Sequence, residues 1–303
     1  MKYEKYIPII GMAFMLLLVQ LIAVALSNPL EANNFKAFQN PEDTGNVFVW
    51  VALILIFTGF IFLVIKLNKK WIIQAFIIIS VGWTLMYVFY ALFSVFLPQG
   101  INLALTIILS VGLTVVLYKF PEWYIIDITG VIIGAGSASI FGISLAIVPT
   151  LLLLVVLLIY DYIAVYQTKH MVALAEGVMD LRLPILLVIP KHWKYSFLSE
   201  KFDKEEREAF FMGLGDAVMP TLLVVSANFF VTNTTFYSFP IIGKMNLPAI
   251  GGILGTFLGF AVLMTFVMKG KPQAGLPFLN GGVILGYVVG SLIAGSSILG
   301  GYL

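Results

Sequence analysis

Cysteine is missing from all 303 residues, which excludes disulfides, thiol catalysis and thiolate metal sites. Histidine is almost missing: His170 and His192 are the only two, and both lie in one polar stretch. A Ser–His nucleophile or a histidine-bound zinc working inside a membrane would need a histidine in an apolar run. Charge is also scarce, at 11% of residues against 61% hydrophobic, with a mean hydropathy of +1.05. That composition is not that of a soluble globular domain. A net charge of +2, with the basic residues sitting between apolar runs, points to no nucleic-acid partner.

What is present is a series of apolar runs of about 17–25 residues, each long enough to cross a ~30 Å hydrocarbon core. The partner they require is a lipid bilayer, and the expected location is the cell membrane, as a multi-pass protein. Backbone groups in lipid must be satisfied within a helix or a closed barrel, and continuous runs without alternation select helices. Nine spans can be drawn: residues 7–27, 47–67, 71–95, 102–118, 124–140, 143–166, 209–231, 247–268 and 276–298. The first lacks a small-residue cleavage site and reads as a retained span. Gly134, Gly136, Ser137, Ser139 and Gly142 are expected to mark a tight reversal between the fifth and sixth spans.

Loop charge sets the expected orientation. With the N-terminus inside and the C-terminus outside, fifteen of the 17 basic residues lie inside, and only Lys36 and Lys244 lie outside. That is the positive-inside pattern. The chain then divides into residues 1–166 with six spans, a cytoplasmic loop at 167–208, and residues 209–303 with three spans. Within the loop, Met171, Val172, Leu174, Ala175 and Val178 could form one face of a short surface helix. Leu183–Pro190 is a proline-bracketed, β-prone run. Gly251/Gly255/Gly259 and Gly282/Gly286/Gly290, spaced by four, are expected to let helix backbones approach closely.

Of the 15 acidic residues, only Asp127, Asp161 and Asp216 fall within spans. A carboxylate at membrane depth costs roughly 3 kcal/mol or more unless something offsets it, so each is a functional candidate. Asp161 lies eight residues before Lys169, and Asp216 eight residues after Glu208. At a helical rise of ~1.5 Å per residue both sit roughly 12 Å from the same surface. Their spans are consecutive and antiparallel, so two acids arrive at one depth from opposite directions. Two carboxylates brought together in low dielectric cannot both ionise, and the pair holds one proton between them. The ionised member can take a proton from water while the neutral member donates to an amide carbonyl. Gly213 and Gly215 would let a substrate backbone come close to Asp216. Asp127, in the first turn of its span, suits a structural or interfacial role. On these residues alone, proton- or cation-coupled transport and proteolysis both stay open, as does a non-catalytic membrane scaffold.

Tyr160-Asp161 in one span and Gly213-Leu214-Gly215-Asp216 in the next resemble the paired motifs of intramembrane aspartyl proteases, the family of presenilin and the signal peptide peptidases. His170–Ala175 followed by Leu183–Pro190 resembles the peptidase region after the first aspartate, and Gly215–Pro220 resembles the region around the second. As a whole the chain is most similar to an archaeal presenilin homologue. The family's third motif, Pro-Ala-Leu before the last span, matches Ala274-Gly275-Leu276, followed by Pro277. What the resemblance implies is a nine-span, N-in, C-out fold and endopeptidase activity on transmembrane-helix or signal-peptide substrates. It implies Asp161 and Asp216 as catalytic pair, and no metal or organic cofactor. Tyr160, Gly213, Leu214, Gly215, Ala274, Gly275, Leu276 and Pro277 would shape the site. Oligomerisation is left open. A helical substrate must unwind to expose its amides, and an extended substrate could then add as a strand beside Leu183–Pro190 or Gln273–Pro277.

Overall fold

The computed structural model describes residues 6–67, 69–167, 185–192, 195–198, 208–240, 242–269 and 273–300. Nine α-helices occur among them: α1 (Ile7–Ala32), α2 (Gly45–Lys66), α3 (Lys70–Ser94), α4 (Gln99–Lys119), α5 (Trp123–Gly142), α6 (Ile147–Tyr162), α7 (Leu214–Phe230), α8 (Leu247–Val267) and α9 (Leu276–Ala294). A π-helical turn, Ile163–Gln167, continues α6. Eight helices are long and apolar enough to cross a membrane; α7, with 17 residues, is the short one. The surface helix expected near residue 174 lies outside the described residues, as do Leu183 and Pro184.

Two small sheets join the helical bundle. Strand β1 (Leu186–Pro190) pairs antiparallel with β2 (Ala209–Gly213), and β3 (Phe236–Phe239) pairs with β4 (Gly243–Asn246). The sequence expectation placed 209–213 at the start of the seventh helix; it is strand, and the helix begins at Leu214. A short continuous apolar run does not distinguish a buried strand from a buried helix by periodicity. Here Phe210 and Phe211 favour the strand, and Gly213 weakens any helix through it. The ~12 Å of helical rise expected between Glu208 and Asp216 is therefore replaced mostly by extended chain.

The expected reversal also moves. Gly134, Gly136, Ser137 and Ser139 lie inside α5, and the turn occupies residues 143–146. The small residues serve packing instead: a Cβ at Gly134 would lie 3.0 Å from Leu214 Cδ1, and one at Gly142 would lie 2.6 Å from Val225 Cβ. The spacing-by-four expectation for α8 and α9 holds. A Cβ on Gly255 would lie 2.8 Å from the Gly286 Cα, and one on Gly286 2.7 Å from the Gly255 Cα. The two backbones touch because neither has a side chain in the way.

Burial sorts the helices into layers. The stretch Pro220–Ala227 of α7 and most of α5 are buried, so these two form the centre. On α2, Phe48, Ile56 and Leu63 are exposed, as are Ile108 and Val111 on α4; apolar side chains facing outward are what lipid contact requires. Because β2 enters α7 and β3 follows it, the two sheets sit at opposite ends of the bundle. At the β3–β4 end, Asn246 caps α8 by accepting from the Ala249 N–H at 2.9 Å, and its amide donates to the Ala227 and Val231 carbonyls at 2.7 and 2.9 Å. One fully buried side chain thereby satisfies the end of α7 and the start of α8 together.

Candidate active site

Asp161 is the penultimate residue of α6 and is only 5% exposed. A carboxylate there sits at the unfavourable, C-terminal end of its own helix dipole. The offset comes from another helix. The N–H of Leu276, among the first-turn donors that a helix leaves unsatisfied, donates to Asp161 Oδ2 at 3.1 Å.

Asp216 reaches the same place from the other direction. It is the third residue of α7, in the first turn, where the helix's own N-terminus favours a negative charge. Its carboxyl lies against Gly275: a Cβ there would be 2.7 Å from Oδ2, 2.8 Å from Cγ and 2.9 Å from Oδ1. Gly275 has φ −77° and ψ −45°, which any residue adopts. Glycine here leaves room for the Asp216 carboxyl and is not demanded by backbone shape. Gly275 borders one carboxyl and Leu276 holds the other, so two consecutive residues bring Asp161 and Asp216 to the same place.

The other expected site residues lie on or immediately before the helices that carry the two aspartates, or at the start of α9. Gly215 is exposed, and a Cβ on it would meet nothing within 4 Å; one on Gly213 would make an ordinary 3.5 Å contact with Asp216 Oδ2. Open space beside Asp216 is the approach a substrate backbone needs. Leu214 donates its N–H to the Ile185 carbonyl at 2.9 Å and packs against α5 at Gly134. Tyr160 is half-buried on α6 and Ala274 is fully buried. Pro277 falls within the first two positions of α9, where the missing N–H breaks no helical bond.

Sequence reading missed the ties that dock the start of α9 on α6. Tyr166 Oη donates to Gln273 Oε1 at 2.7 Å and accepts from the Ala274 N–H at 3.4 Å. One turn beyond Leu276, buried Asn280 donates its amide to the Leu154 carbonyl at 3.1 Å. In each tie the two partners are more than a hundred residues apart in sequence, so no local spacing marks them. An asparagine in the middle of an apolar span was the one signal available.

The model of the family described as signal-peptide peptidase, presenilin aspartyl protease matches residues 12–296. The chain belongs to this family. Two solved structures, each of a presenilin family intramembrane aspartate protease, agree. The one in a C222 crystal form is 37% identical with a TM-score of 0.69, covering 96% of this chain and 100% of its own. The one in a P2 form is 39% identical with a TM-score of 0.70, covering 95% and 99%. Among curated proteins nothing matches. As a member of the presenilin and signal peptide peptidase family the chain is a multi-pass membrane protein and an aspartic protease. At Gly275 the carboxyl of Asp216 occupies the space that a methyl side chain would take.

Proposed function

We propose that the chain hydrolyses peptide bonds within the transmembrane helices of other membrane proteins or within signal peptides, and that Asp161 and Asp216 perform the chemistry. The observation that carries this reading is the convergence of both carboxyls on Gly275 and Leu276. The ionised carboxyl takes a proton from water as the water oxygen bonds to the amide carbon. The neutral carboxyl gives its proton to the carbonyl oxygen, producing a tetrahedral diol. Collapse of the diol returns a proton to the leaving nitrogen, breaks the C–N bond and restores the shared proton of the pair.

The N-terminus is assigned to the inside and the C-terminus to the outside on the charge bias of the loops, with residues 167–208 as the cytoplasmic loop between spans six and seven. Water then enters from the inner face, where the site opens beside Gly215.

An unwound substrate needs new partners for its backbone, and a strand edge next to the aspartates supplies them. The ladder bonds Leu214 N–H to Ile185 O and Lys191 N–H to Glu208 O, both 2.9 Å, fix which residues of β1 and β2 face each other through hydrogen bonds. By alternation, Gly213 opposite Leu186 turns its N–H and C=O away from β1. We assign the substrate strand to this side, beside Gly213 and within reach of Asp216.

The deciding experiment incubates the purified protein in liposomes with a labelled transmembrane peptide, with and without an aspartyl-protease transition-state analogue, alongside an ion-flux measurement. Cleavage that the analogue blocks is the expected result. Ion flux with no cleavage of any helical peptide would overturn the proposal.

A further inference from the structure

Asp127 is the third membrane-depth aspartate, and the hydrolytic scheme does not use it. It is 1% exposed, so its carboxyl reaches neither bulk water nor a substrate. Its Oδ1 accepts the Val188 N–H at 2.7 Å, while its Oδ2 is buried with no partner among the described residues. Val188 stands opposite Phe211, one place along from Leu187 opposite Met212, at a position whose N–H points away from β2. Asp127 therefore caps the outer edge of β1 at the middle of the strand.

The surroundings make the cap rigid. Helix α5 packs along β1: a Cβ at Gly130, one turn on from Asp127, would lie 3.4 Å from Leu187 Cδ2. Val188 is fully buried with Ile126, the residue before Asp127, in one apolar cluster. On the far side Gly11 of α1 leaves room for Ile189, whose Cγ2 would be 3.0 Å from a Cβ there. From β1 the connection to the site is short. The β1–β2 ladder ends at Gly213, Leu214 bonds to Ile185, and Asp216 is two residues further on.

We infer that Asp127 is a positioning residue: by closing the outer edge of β1 it locks the β1–β2 ladder that sets Asp216, and it denies that edge to an incoming strand. A buried acceptor is needed because an uncapped amide shut away from water is costly, and Val188 is fully buried. The inference rests on Asp216 being a catalytic residue, and the experiment separates the two.

The test compares Asp127→Asn and Asp127→Ala with wild type and with Asp216→Asn. Cleavage is measured per active site, titrated with a tight-binding transition-state analogue, and the Val188 amide is followed by hydrogen exchange. Asn retains an acceptor for Val188 and Ala does not. The expected result for Asp127→Ala is a kcat lower by on the order of tenfold to a hundredfold, since small misplacements of reacting groups are that costly. KM changes little, and exchange at Val188 is faster. Asp127→Asn is expected to restore both kcat and protection. Should Asp127→Ala fail to fold, the Asn variant decides: a kcat as low as that of Asp216→Asn, or unprotected Val188, overturns the positioning role. Wild-type kcat and protection in Asp127→Ala also overturn it. Wild-type turnover in Asp216→Asn would instead remove the catalytic reading itself.

Discussion

Asp127 and the pair formed by Asp161 and Asp216 are the same residue type in apolar spans of one bundle, yet their surroundings are opposite. Around Asp127 everything is closed: one oxygen is bound to a strand amide, and packed side chains cover the rest. Around the pair one side is open. Asp161 accepts a backbone N–H from the start of α9, Asp216 lies in the first turn of α7 where the helix dipole favours a negative charge, and Gly215 leaves space beside them. The difference teaches that a carboxylate in a membrane span is not catalytic by virtue of depth. A backbone N–H can stabilise it in either setting, and access by water and substrate is what separates the two proposed roles.

Removing the pair should have the largest effect. Asp161→Asn and Asp216→Asn are each expected to lower cleavage of a transmembrane peptide by at least ~100-fold, the scale of general acid–base catalysis. Thermal unfolding should stay near wild type, because neither variant opens a cavity; near-normal turnover in either would erase the contrast with Asp127. Next in size is Gly275→Val, which puts a branched side chain where the Asp216 carboxyl lies. A loss on the order of tenfold to a hundredfold in kcat is expected, with Gly275→Ala intermediate. Gly213→Pro is a sharper probe. Residue 213 already has φ −59° and its N–H is not spent on β1, so proline removes one donor and leaves the ladder intact. A drop of about tenfold in kcat/KM for a helical substrate matches the loss of one hydrogen bond in a protected site, and an unchanged value would remove the substrate strand from this side. The smallest effect is expected from Tyr166→Phe, which breaks the ties to Gln273 and the Ala274 amide: roughly two- to fivefold in kcat, recorded with the same peptide.

Much of the site was readable because membrane composition is so restrictive. With 15 acids in the whole chain, three in apolar runs stand out, and the paired Tyr-Asp and Gly-Leu-Gly-Asp motifs resemble one family. Helix existence was equally clear, since lipid leaves few alternatives to a helix for an apolar run of that length. Boundaries were not. Residues 209–213 read as helix because hydrophobicity continues unbroken from Ala209 into α7, while the strand depends on a partner, Leu186–Pro190, that only folding brings alongside. The glycines of α5 looked like a turn because a small residue signals either a bend or a close neighbour. Val225 and Leu214, contributed from α7, decide for the neighbour.

The amino-acid sequence by itself determined that this is a many-span helical membrane protein and which acids lie within its spans, because transfer into lipid is a local property of each residue and each run. Tertiary structure alone decided that Gly275 and Leu276 would unite Asp161 with Asp216, that Tyr166 would reach Gln273, and that Asp127 would be sealed against Val188. Those are contacts between segments up to 115 residues apart, and their geometry is set by how helices pack, which no periodicity along the chain records.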